Sequence, residues 1–272
     1  QGVAFDGGAN PVRDLFPPEQ PSVAAASDAV DLLGLINGKQ LARLGGAEDL
    51  LSARMRSYEL AARMQLSVPD AADLSSEPKS ITNLYGLEGK DTADFAQNCI
   101  LARRLLERGV RFVQLYSGGP LGGNPRTSWD GHEKMVLNHT REAARIDQPV
   151  AALLQDLRQR GMLEDTLVTF TTEFGRTPFT QSAANTLGDG RDHNHPGFTV
   201  WMAGAGVRAG TAYGATDEIG YRAVDDRVSW HDFHATVLHL FGLDHERLTF
   251  YHNGIQRRLT NVHGHVVHGV LG

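Results

Sequence analysis

Apolar residues recur every three or four positions over 47–64: in AEDLLSARMRSYELAARM, Leu51, Met55, Tyr58 and Ala62 fall on one side, with arginines and glutamates between them. That is the period of an amphipathic helix. Pro69, Pro78 and a run of serines break the pattern, and it resumes from about Thr92 in TADFAQNCILARRLLERG until Gly109, a residue suited to closing a helix. Residues 1–108 therefore read as a mainly helical part of the fold and 109–272 as an α/β portion.

The pattern then shortens. VRFVQLY (110–116) is rich in β-branched and aromatic residues and is followed by Gly118 and Gly119, as a strand would be. A long helical stretch to about Gly161 puts Ile146, Val150, Leu153, Leu154 and Leu157 on one face. Pro149 interrupts it and Asp147 is able to cap a fresh helix, so a kink or two consecutive helices is expected. DTLVTFTTEF (165–174) and FTVWMAG (198–204) read as strands, and SWHDFHATVLHLFG (229–242) as a short helix opened by Ser229 and closed by Gly242. Strand, helix, strand in this order predicts an α/β fold with a mostly parallel sheet flanked by helices.

Composition narrows the function. At 272 residues and 41% hydrophobic content the chain can bury a substantial core, as one large domain or two small ones. A net charge of −6 supplies no general pull toward nucleic acid or an anionic membrane surface, and no apolar run approaches the ~20 residues that span a bilayer. The lone cysteine, Cys99, excludes an intramolecular disulfide framework and a thiolate zinc cluster; in its helical run it reads as a buried, inert thiol. The opening QGVAFDGGANPVRDLFPPEQP has no initiator Met and is rich in Pro and Gly, as expected of a processed or partial chain.

In open α/β sheets ligands gather at the carboxyl ends of strands, and the chemistry-bearing residues fall there. SWDGHEKM (128–135) places Asp130 and His132 after the first predicted strand; Glu173 ends the second; GRDHNHPG (190–197) brings Asp192, His193 and His195 before the third. Carboxylate oxygens and neutral imidazoles are the ligand set of Zn²⁺ and related divalent ions. Ordinary readings compete: an Asx-turn for Asp130, an ion pair with Arg176 for Glu173, chance for two histidines among 12. Arg176 can fork onto a phosphate or sulfate, or hold Glu173. The other histidines, including His234, His239 and those of the HGHVVH tail, read as surface or packing residues; His231, at a helix N-terminus, could orient an anion. GGPLGG (118–123) lacks the Lys-Ser/Thr of a phosphate-binding loop, and no G-x-S-x-G motif is present.

Taken in order, NCILARRLLERGVRFVQLYSGG, SWDGHEKMVLNH, DQPVAALLQDLRQRGMLEDTLVTFTTEFGRTP, GRDHNHPGFTVWMAGAGVRAG, YGATDEIGYRAV and HDFHATVLHLFGLDHERLTFYHNGIQRRLT closely resemble the bacterial proteins grouped as domain of unknown function 1501. That family looks like a branch of the alkaline phosphatase and sulfatase superfamily. The resemblance implies a metal-dependent hydrolase of sulfate or phosphate esters, its divalent ion (Zn, Ca or Mg) held by Asp130, His132, Glu173 and His193 or His195, with Arg176 on the anionic substrate. Phe174 stands where the superfamily usually has a second His ligand. The resemblance also implies an exported or periplasmic protein whose nucleophile and N-terminal strands precede this chain, leaving it inactive alone. A non-catalytic exported binding protein on the same fold, and an incomplete chain with an open sheet edge, are the competing expectations.

Overall fold

The structure, a computed structural model, describes residues 4–5, 22–43, 52–58, 70–118, 128–183 and 185–272. They fall into two units, 1–89 with 93–115 and 90–92 with 116–272. In the first, α1 (Val23–Arg43) forms although Gly34 and Gly38 lower its propensity. Helix α2 (52–58) lies within the run read at 47–64; Leu51 and Ala62 lie outside the described residues. A short α3 (Lys79–Tyr85) precedes α4 (Ala93–Glu107). Helix α4 buries Phe95, Ala96, Cys99 and Ile100, at the spacing its sequence indicates. Leu101 and Leu105 pack with Ala71 against Phe5 and Val113. Gly109, at φ 84°, lets the backbone turn so that its N–H and that of Val110 satisfy the Leu106 and Leu105 carbonyls.

In the second unit α5 is one helix, Met135–Gln159, with Pro149 inside it. Neither a second helix nor a cap at Asp147 forms. Proline removes a single backbone bond, and Pro149, Ala152, Leu153 and Leu157 are all buried along that side, which outweighs the loss. Helix α6 (Trp230–Leu240) opens as its sequence predicts, with a reciprocal capping box between Ser229 and Asp232. Ser229→Ala is expected to destabilise the protein by about 0.5–2 kcal/mol, read as a shift of the denaturant midpoint at constant slope.

The sheet expectation is overturned. The described strands form four antiparallel pairs of two, not a mostly parallel sheet flanked by helices: β1 (Leu167–Phe170) with β4 (Trp201–Gly204), β2 (Gly175–Ala183) with β3 (Thr186–Asn194), β5 (Ala215–Thr216) with β6 (Ala223–Asp225), and β7 (Thr249–His252) with β8 (Ile255–Arg258). A parallel pair needs a crossover, usually a helix. Between β1 and β4 the chain builds the β2–β3 hairpin instead, so β4 returns antiparallel, Leu167 opposite Gly204. The run 110–116 joins no ladder, so among the described residues α5 does not link two strands. No described helix is long and apolar enough to cross a membrane.

Candidate metal centre

The β2–β3 hairpin and the loop before α5 build one site. Cross-strand pairing sets Arg176 opposite His193 and Gly175 opposite Asn194. The loop 130–134 is laid against β3: Arg191 N–H donates to Gly131 O (3.0 Å) and Lys134 N–H to Asp189 Oδ1 (2.9 Å). This approach requires glycine at position 190, where a Cβ would run into the His132 carbonyl. Trp129 O accepts from Arg176 Nη2 (3.1 Å) and lies 3.0 Å from His139 Nε2, which fixes the loop from both sides.

Three predicted ligands meet here. His132 Nε2 and His193 Nε2 each lie 2.8 Å from Asp130 Oδ1 and 3.1 Å from one another. Gln181 Oε1, 2.6 Å from His132 Nδ1, can only accept a hydrogen bond. It therefore assigns the ring proton to Nδ1, so in the neutral ring Nε2 turns a lone pair toward the Asp130 carboxylate and the second imidazole. Two lone-pair atoms at 2.8 Å repel unless positive charge lies between them, either a proton or a cation. The three edges are within about 0.5 Å of the ~3.3 Å edge of a tetrahedron whose ligands lie about 2.0–2.1 Å from Zn²⁺, so the residues present fit such an ion.

The supports of each ligand are distinct. Phe174 stacks on His193 with ring centroids 4.1 Å apart; at the position where the resemblance implied a ligating histidine, the side chain steadies His193 instead. Arg176 donates from Nη2 to Asp130 Oδ1 (2.7 Å) and from Nη1 to Arg191 O (3.3 Å). Its ion pair is thus with Asp130, not Glu173. Burial pushes the Asp130 carboxyl up, but hydrogen bonds from His193 and Arg176 and the charges of His132 and Arg176 outweigh it and hold it at about 2, against an ordinary 3.8. Because the folded value is depressed, this stabilisation is complete above about pH 4 and is lost as pH falls toward 2. Asp130→Asn should therefore flatten stability measured by denaturant between pH 4 and 2.

Two predicted ligands stay outside. Glu173 is exposed at the bend before β2, its carbonyl accepting from Trp230 Nε1 (3.3 Å). His195 is exposed in the turn after β3, past the last paired residue. Among the described residues Asp130, His132 and His193 form the one group of three or more such side chains close enough to share an ion. Asp192 is spent locally, its carboxylate accepting from His193 N–H (2.8 Å). At the N-terminus of α6 the capping box takes the Asp232 N–H, and the His231 ring lies against His263, with ring centroids 5.1 Å apart. Gln181 was missed, since only the hairpin register brings it to His132. Removing it should cost metal affinity about 10–100-fold, as losing an outer-shell partner typically does, with Gln181→Leu titrated by zinc as the check.

A model of proteins of unknown function (DUF1501) matches residues 1–271, and the chain belongs to that family. No curated protein and no solved structure matches it.

Proposed function

For this member of a family without an assigned activity, we propose a metal-dependent hydrolase of phosphate or sulfate esters, with Asp130, His132 and His193 holding one divalent ion. The observation that carries the reading is the convergence of one carboxylate oxygen and two imidazole nitrogens, with the His132 proton assigned to the far nitrogen by Gln181. Two nitrogens and one oxygen favour Zn²⁺ over Ca²⁺ or Mg²⁺, which take oxygen ligands. The side chains of Asp130 and His193 are 40% and 45% exposed, which leaves coordination positions open to water and substrate, as in catalytic sites. When bound, such an ion polarises an ester oxygen and acidifies water. The reaction class comes from the motif resemblance to the alkaline phosphatase and sulfatase superfamily; the ion comes from the side-chain geometry.

The chain's own residues have definite parts. Gln181 holds His132 in its ligating tautomer, Phe174 holds the plane of His193, and Arg176 ties Asp130 in place. Arg176 then favours an anionic substrate through its charge beside the site rather than by a free fork, since both terminal nitrogens already donate to the protein. A second reading, a zinc-binding protein without catalysis, is favoured by Phe174, which leaves ligands for a single ion. Assaying the zinc-loaded protein on p-nitrophenyl phosphate and p-nitrophenyl sulfate separates them. Turnover abolished by chelator and restored by zinc supports the hydrolase; bound zinc with no turnover on either ester supports the binding protein.

A further inference from the structure

A second group of histidines lies along α6, apart from the centre above. The segment 263–268 is fastened to the helix by side chains one turn apart: His265 N–H donates to Asp232 Oδ1 (2.8 Å) and Val267 N–H to Thr236 Oγ1 (2.9 Å). Gly264, at φ 97°, passes so near the helix that a Cβ there would meet the His231 carbonyl at 2.8 Å. One more turn along α6 brings His239 against His268, with ring centroids 5.8 Å apart. Both side chains are exposed and line a cleft of 690 Å³ together with residues 242–246 and 264–266.

The polar groups of that cleft sort themselves by commitment. The Asp244 carboxylate accepts from Glu246 N–H (2.9 Å) and Arg247 N–H (3.2 Å), Glu246 pairs with Arg258 (3.1 Å), and buried His245 bonds through Nδ1 to Thr260 Oγ1 (2.9 Å). The imidazoles of His239 and His268 lie together in the cleft, which the His265 ring also lines. We propose that these two rings form a second metal site, an imidazole clip that takes a borderline transition-metal ion (Zn²⁺, Ni²⁺ or Cu²⁺) and locks the segment 263–268 onto α6. Two imidazoles bound to one ion at about 2.0–2.1 Å place their ring centroids roughly 5–6 Å apart; the observed 5.8 Å lies in that range, so turning the two exposed rings about their side-chain bonds would aim both at one ion. Imidazole suits these ions, and His239 sits in the last turn of α6, where the helix end favours positive charge. Water completes the coordination in the open cleft.

The test uses untagged protein in an His132→Ala/His193→Ala background, so that failure of the clip and failure of the hydrolase centre are read separately. Calorimetric titration with Ni²⁺ should find one equivalent per chain. His268→Gln should weaken it by more than the roughly tenfold that even an outer-shell loss costs, and adding His239→Ala should abolish it. Nickel should also slow amide exchange at His265 and Val267 in the background protein, a readout that requires no variant of the clip to fold. Less than one equivalent bound at micromolar nickel, binding unchanged by His268→Gln, or exchange at both amides unaltered by nickel would each overturn the clip.

Discussion

Replacing His132 or His193 with alanine should lower zinc affinity by more than the ~100-fold that marks the upper range for outer-shell losses, because each would remove an atom of the proposed ligand set. The effect is separable from folding. His193 is half exposed and lies in a hairpin held by backbone pairing and by Asn194, whose side chain donates to Gly197 O (3.2 Å) and Tyr221 O (2.7 Å). Its truncation should therefore leave the denaturant midpoint nearly unchanged. His132 is more enclosed, 13% exposed, and its loss also strands Gln181, so His132→Ala should cost some stability as well. Competition against a chromophoric chelator, run beside denaturant melts, measures both quantities. Equal zinc affinity in the two variants and the parent would remove these rings from the ligand set.

Gly190→Ala should damage stability and site together. The added Cβ would fall on the His132 carbonyl and close to the Glu133 nitrogen, both of them backbone atoms. Neither can rotate away, so β3 and the loop must separate. Separation weakens the Arg191–Gly131 and Lys134–Asp189 hydrogen bonds and carries His132 away from His193. Overpacking of this kind costs about 1–3 kcal/mol. The distinctive result is a joint loss: a lower denaturant midpoint accompanied by zinc affinity reduced at least about tenfold, as for a displaced ligand. A stable Gly190→Ala protein with parental zinc affinity would show that the loop does not need the close approach.

Helical periodicity was legible because it depends on neighbours three and four residues away: α4, the buried face of α5, and α6 with its Ser229 cap all follow from it. Strand partners were not, because alternation tells which face is buried and says nothing of what lies alongside. The segment 186–194 has no alternation of apolar and polar residues, yet it is a strand whose glycines admit neighbouring backbone: a Cβ at Gly188 would strike Gln181 O, as one at Gly190 would strike His132 O. The same hairpin decides which candidate ligands meet. Pairing Arg176 with His193 turns that imidazole toward Asp130, while Glu173 precedes the ladder and His195 follows it. Residue type and spacing pointed to Asp130, His132 and His193, which the fold brings together; register, visible only in the fold, leaves Glu173 and His195 outside that group and sets Gln181 beside it.

The most direct measurement of the central claim is X-ray absorption of zinc bound to protein carrying His239→Ala and His268→Ala, which isolates the hairpin centre. One ion per chain, with two imidazole nitrogens and a carboxylate oxygen at about 2.0–2.1 Å, is the predicted result. A protein that stays folded yet retains no zinc at micromolar concentration, or an ion surrounded by oxygen alone, would contradict it.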